Sequence, residues 1–147
     1  MEIEAAAIRR SIQNGDATWE KRLVASFERL DAQEVPVDPS TGLLRDEWEE
    51  AHKLFHESLV EACNSATLLT IRKSLAERAY RYRRLSGAVS YRTRDARAEH
   101  HAIFRATLKR DEALASALIA AHIRATIDAV IEAARNGTLK WIQPPGA

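Results

Sequence analysis

The sequence predicts an all-α fold, an antiparallel bundle of about six helices. Three observations carry this. Apolar residues recur at helical spacing along most of the chain, and no segment alternates cleanly like a strand. Glycine (five) and proline (four) are scarce and clustered at a few breaks. The connections between those helical runs are mostly short, which favours antiparallel neighbours.

The first helix is expected over Glu2 to Gln13, stopping at Asn14-Gly15. The second starts after Asp16, a good N-cap, and runs to about Ala32 with Trp19, Leu23, Phe27 and Leu30 on one face. A loop with Pro36, Pro39 and Gly42 follows. Asp46 opens the third helix, with Glu49 at the reciprocal capping position, and the helix is expected to end near Cys63-Asn64. The fourth covers Ser65 to Ser86 and stops at Gly87; a polar loop leads to the fifth, Asp95 to Lys109. Asp111 caps a long sixth helix ending at Asn136-Gly137. Residues 1–137 are therefore expected to form one domain, with 138–147 a loosely held tail carrying Pro144-Pro145-Gly146.

At 147 residues the chain can bury one real core without staples. Lys plus Arg number 22 against 21 Asp plus Glu, so net charge gives no drive toward nucleic acid or anionic membrane. A single cysteine, Cys63, excludes an intrachain disulfide and a Cys-based zinc site, and fits a cytoplasmic protein. Met1 is followed at once by Glu2 and Glu4, which is no secretory signal. The apolar stretch Ala113 to Ala134 carries His122, Arg124 and Asp128, so it reads as a core helix and no membrane association is expected.

The histidines are the most informative residues. His52 and His56 lie four apart, on a face shared with Trp48, Phe55 and Leu59. His100 shares a face with Ile103, Phe104 and Thr107, and His122 with Leu118, Ile119 and Thr126. Three helices thus each aim imidazole at the bundle interior. Neutral imidazole suits zinc, nickel, copper and iron, and facing helices can supply such ligands. Spacing leaves His100 and His101 unresolved, because His101 also falls near Phe104 and Leu108.

Several chemistries are excluded. His52-Lys53-Leu54-Phe55-His56 lacks the glutamate of zinc proteases. Bundled di-iron proteins need two Glu-x-x-His elements, and only Glu49-x-x-His52 occurs. There is no phosphate-cradling Gly-rich loop, no Gly-x-Ser-x-Gly elbow and no obvious nucleophile–base pair, so an enzyme is not expected.

From Arg72 to Arg97 nine basic residues face only Glu77 and Asp95 as acids. Most should be solvated. An arginine that reaches the interior would suit a carboxylate, through its planar fork. Spacing favours Arg78, which shares a face with Ile71, Leu75, Tyr82 and Leu85.

Trp48-Glu49-Glu50-Ala51-His52-Lys53-Leu54-Phe55-His56, Glu99-His100-His101-Ala102-Ile103 and Ala121-His122-Ile123 together resemble the FCD-type effector-binding domain of GntR-family transcription regulators. Arg9-Arg10-Ser11-Ile12 with Gly15-Asp16, the Glu61-Ala62-Cys63-Asn64 helix end and Arg81-Tyr82-Arg83-Arg84-Leu85-Ser86 extend the resemblance in order from about Glu2 to Ile131. It implies a helical bundle whose cavity holds one divalent metal, zinc or nickel, beside a small carboxylate effector. The ligands it implies are His52, His56, His100 and His122, which selects His100 over His101. At His52 the family more often has Asp or Asn. It also favours Arg81, with Tyr82 nearby, as an effector contact. It implies a homodimer that meets DNA through a winged helix-turn-helix preceding this domain. Here the first residues are already those of the domain's first helix, so the chain is expected to be a fragment or an effector-domain-only protein. The competing readings are a helical-bundle metalloenzyme and a metal-stapled interaction domain.

Overall fold

The computed structural model describes residues 1–33, 37–38, 40, 42–86 and 95–137, with only the backbone for 84–86. The expected stop at Gly87, the polar loop after it and the tail 138–147 lie outside the described residues. Among the described residues there are six helices: α1 (Glu2–Asn14), α2 (Ala17–Asp31), α3 (Asp46–Ser58), α4 (Ala66–Ser86), α5 (Ala96–Leu108) and α6 (Glu112–Arg135). Val37 and Leu44 make one isolated antiparallel bridge in the loop before α3.

Three helices start as their sequence signals say. The carboxylates of Asp16, Asp95 and Asp111 accept from the backbone N–H groups of Trp19, Ala98 and Leu114, each three residues on. Each bond satisfies an amide that the helix cannot. The start of α3 differs from expectation. Arg45 is its N-cap and makes no side-chain cap bond, so Asp46 is already helical. Glu49 does not cap either; it is buried and paired with Arg83. α3 also ends earlier than its apolar pattern suggests, at Ser58, and residues 59–63 continue as turns to Asn64 in the left-handed region (φ 51°).

Cross-helix bonds show the directions. Trp19 Nε1 donates to Ser58 O (2.8 Å), while Arg29, further along α2, reaches Glu50, earlier on α3. Arg72 reaches His56 O and Arg83 reaches Glu49, so α4 also runs opposite to α3. Gln13 meets Glu112 and Ser116 meets Ala5 O, so α1 and α6 are antiparallel. The main packed pairs are α1 with α6, α2 with α3, and α5 with α6; α4 lies against α6 and α1.

The core joins Ile8, Ile12, Trp19, Leu23, Phe27, Phe55, Leu59, Ile103 and Ile119. Phe27 stacks on Phe104 (3.9 Å between centroids) and tilts against Phe55 (5.5 Å). Gly15 is required where α1 turns into α2, because a Cβ there would collide with the buried Trp19 ring. α6 is long and apolar enough, by length and composition, to cross a membrane. In the bundle it packs along α1 and α5 and carries one of the inward histidines.

Candidate metal centre

α3 delivers His52 and His56 from successive turns, α5 delivers His100, and α6 delivers His122. His52, His100 and His122 are buried; His56 keeps some residue surface, with its ring packed against the others. One ring nitrogen from each residue lies within 4.8 Å of all the rest. The Nε2 atoms of His56 and His100 are 3.4 Å apart. Tetrahedral zinc with bonds of 2.0–2.1 Å sets its nitrogens roughly 3.3 Å apart. The rings therefore need only a small closure to meet one ion.

Two features test whether a metal fits. Both ring nitrogens of His52 are buried without a hydrogen-bond partner. An orphaned buried polar group costs about 1–3 kcal/mol, and a bound ion would satisfy one of these two nitrogens. Second, His122 Nδ1 donates to Glu99 Oε2 (2.7 Å). That fixes the tautomer and leaves Nε2 with a lone pair for a metal, as in carboxylate–histidine–metal arrangements generally. The donor set fits a borderline divalent ion.

Burial, first of all, pushes the imidazoles of His52 and His56 well below the usual histidine range. The neighbouring rings and the Arg83 guanidinium add to it at both, and Arg72 at His56. Both rings are therefore neutral at pH 7, the form that binds metal. The unfolded chain would take up these protons below about pH 6.5 while the native one does not. Stability of the metal-free domain should therefore fall as pH drops from 7 to 5, by up to roughly 1.4 kcal/mol per unit for each ring. Urea titrations at pH 5, 6 and 7 measure this; a flat profile would contradict neutral buried rings.

The two adjacent histidines of α5 part company. His101 Nε2 stands 2.7 Å from Asp31 Oδ1, and its ring meets the edge of Phe27. Arg97 pairs with the same carboxylate, and its hydrogen bond is the main cause holding Asp31 below the usual carboxylate range. His101 thus ties α5 to α2, and His100 is the one in the cluster.

The sequence pattern of the FCD domain matches residues 1–125. The chain belongs to the FCD domain family. It is 35% identical over 128 residues to a protein of Paraburkholderia xenovorans (strain LB400) named as an uncharacterized HTH-type transcriptional regulator, BphR. That match covers 87% of this chain and 52% of the relative. It is 32% identical over 135 residues to the HTH-type transcriptional repressor GlaR of Escherichia coli (strain K12), covering 89% and 60%. The chain thus spans a little over half the length of these relatives. No solved structure matches.

In this FCD domain Arg78, Arg81 and Tyr82 are exposed and are not brought to the histidines. Among the described side chains, the arginines of α4 that turn inward are Arg72 and Arg83. Arg72 is 6% exposed, bonded to Glu4 (3.0 Å) and to His56 O (2.9 Å). Arg83 reaches Glu49 Oε2 at 3.0 Å. The sequence reading missed both because, beyond the core-packed Leu68 and Leu69, the inward stripe of α4 is Arg72, Ala76, Ala79 and Arg83, whose apolar members are small. The larger Ile71, Leu75 and Tyr82 mark the outward stripe. Glu99 was also missed as a partner of His122, 23 residues away. Neighbours on a helix point roughly 100° apart, so Glu99 faces α6 while His100 faces the cluster.

Glu99→Gln keeps the shape but loses the charge on the His122 bond. It should weaken zinc binding by about 10–100-fold. Competition against a chromophoric chelator measures this, and unchanged affinity would remove Glu99 from the centre.

Proposed function

We propose that this chain is the metal-dependent, carboxylate-sensing domain of a GntR-type transcription regulator. The observation that carries the reading is the closed set of four histidine nitrogens in an FCD domain, with His52 buried and unsatisfied. The ligands are His52, His56, His100 and His122, and the ion is zinc or nickel. When bound, the metal supplies a Lewis-acidic anchor for an oxygen of the effector. The remaining work falls to the protein: Glu99 orients His122, Arg72 steadies α3 at His56, and the packed rings exclude water.

The names of the two relatives support a regulatory role rather than catalysis. Operator contact is assigned to the winged helix-turn-helix part that such regulators join to this domain. The effector acts by binding one arrangement of a homodimer better than another, since only differential affinity shifts such an equilibrium. Exposed Ile71, Leu75 and Tyr82 on α4, with Ile127 and Ile131 on α6, support a partner surface for the second copy. A cytoplasmic location goes with this role.

One observation favours a second reading. Four nitrogen donors can fill a tetrahedral ion by themselves, leaving no position for an effector, so the metal would only staple the bundle. Elemental analysis after gentle purification should give one metal per chain. A melting screen of metal-loaded protein against di- and tricarboxylates and sugar acids should then find a ligand that raises stability by mass action. Metal without any carboxylate response would leave the staple; no metal at all would sink both readings.

A further inference from the structure

Glu49 is a buried carboxylate that the metal centre leaves unexplained. Its residue is 3% exposed, and its oxygens are held by Arg83 Nε at 3.4 Å and Nη2 at 3.0 Å. The Arg83 side chain is less covered than its partner, 14% exposed against 2%. A buried carboxylate of this kind must always have a partner, because leaving it alone is costly.

One turn further along α3, on the same buried face, stands His52. A helical side chain leans over the turn before its own Cα, and the His52 ring stacks on Trp48 of that turn (4.7 Å between centroids), the residue next to Glu49. A metal would take one of the two unsatisfied His52 nitrogens. The other then carries a hydrogen and needs an acceptor, the general rule for metal-binding histidines. His122 has such an acceptor in Glu99. For His52 the carboxylate at the right spacing is Glu49, three residues before it, and it is engaged by Arg83.

We propose that Glu49 is a two-position carboxylate: it occupies the Arg83 fork until a carboxylate of the effector takes that place, and it then turns onto the ring hydrogen of His52. This rests on the carboxylate-sensing reading above and adds the device that would couple effector to metal. In both positions Arg83 keeps one anion and Glu49 keeps one donor, so no buried charge is left alone. The ligand chemistry is set by the group it replaces, a planar carboxylate gripped by a guanidinium. Because one residue serves both sites, metal and effector must tighten each other by the same factor.

The test uses zinc, succinate and acetate as probes, with the whole chain. Zinc affinity of the wild type is measured by chelator competition with and without succinate, and succinate affinity by calorimetry with and without zinc. Reciprocal tightening of about fivefold or more is expected. Glu49→Gln removes the internal competitor, so succinate should bind the zinc-loaded variant about tenfold tighter, with the mutual tightening lost. Glu49→Asp keeps the charge on a shorter stem and should fall between; it decides the matter if Glu49→Gln does not fold. Wild-type succinate affinity with full mutual tightening in both variants would make Glu49–Arg83 a static brace and overturn the proposal alone. If neither zinc-loaded wild type nor variants bind succinate or acetate, the carboxylate-sensing reading falls and takes the proposal with it.

Discussion

His52→Leu should abolish tight metal binding while leaving the metal-free domain at least as stable as the parent. The two effects have opposite signs for one reason. His52 is 4% exposed with both ring nitrogens unsatisfied, so it is a liability until an ion arrives. Replacing it with an apolar side chain of similar reach removes that liability, worth about 1 kcal/mol or more. It also removes one ligand of four. If a structural zinc site contributes 10–16 kcal/mol, losing a quarter of it costs roughly 3 kcal/mol, a hundredfold or more in affinity. The pH dependence of metal-free stability should become shallower too, because one of the two neutral buried rings is gone. Chelator competition and urea unfolding of the metal-free variant measure the two effects separately. A variant that loses several kcal/mol without metal would mean that His52 is an ordinary packed core residue whose nitrogens cost the metal-free fold little.

Phe55→Ala should be the most damaging single change to the fold, lowering stability by about 3–5 kcal/mol and the melting point by roughly 10 °C. Phe55 is fully buried, tilts on Phe27 and presents its ring to the edges of both His56 and His100. It therefore joins the α2–α3–α5 core to the floor of the metal centre. The loss should be partly recovered by adding zinc, since an ion that binds only the native state stabilises by mass action. Phe55→Leu, which keeps most of the volume, should lose far less. Thermal unfolding with and without zinc measures both. A small loss in Phe55→Ala would mean that the core does not depend on this ring.

The helices were legible in the sequence because their signals are local. Asp16, Asp95 and Asp111 cap within three residues of themselves, and the apolar period of α2 names the face that is buried. The failures come from contacts between helices. At the start of α3, Asp46 and Glu49 have the spacing of a capping box, but burial and Arg83 claim Glu49 instead. On α4, Leu68 and Leu69 pack on the core, but Ile71, Leu75 and Tyr82 are exposed, and the inward side beyond Leu69 carries Ala76, Ala79 and two arginines whose charge is met by Glu4 and Glu49.

The histidines divide along the same line. The four-residue step from His52 to His56 and the apolar company of His100 and His122 are sequence properties, and they are enough to say that imidazoles from three helices face inward. Spacing could not separate His100 from His101, since both have apolar neighbours at helical distances. That decision is made by Asp31 at the end of α2, which holds His101 outside the cluster. Glu99 serving His122 and Glu49 serving Arg83 are likewise bonds between helices, across 23 and 34 residues of chain. By itself the sequence determined the six helices and the inward imidazoles, because backbone capping and helical period act over one or two turns. The tertiary structure alone decided which charged partner each buried polar group meets, because that depends on which helices are brought together in space.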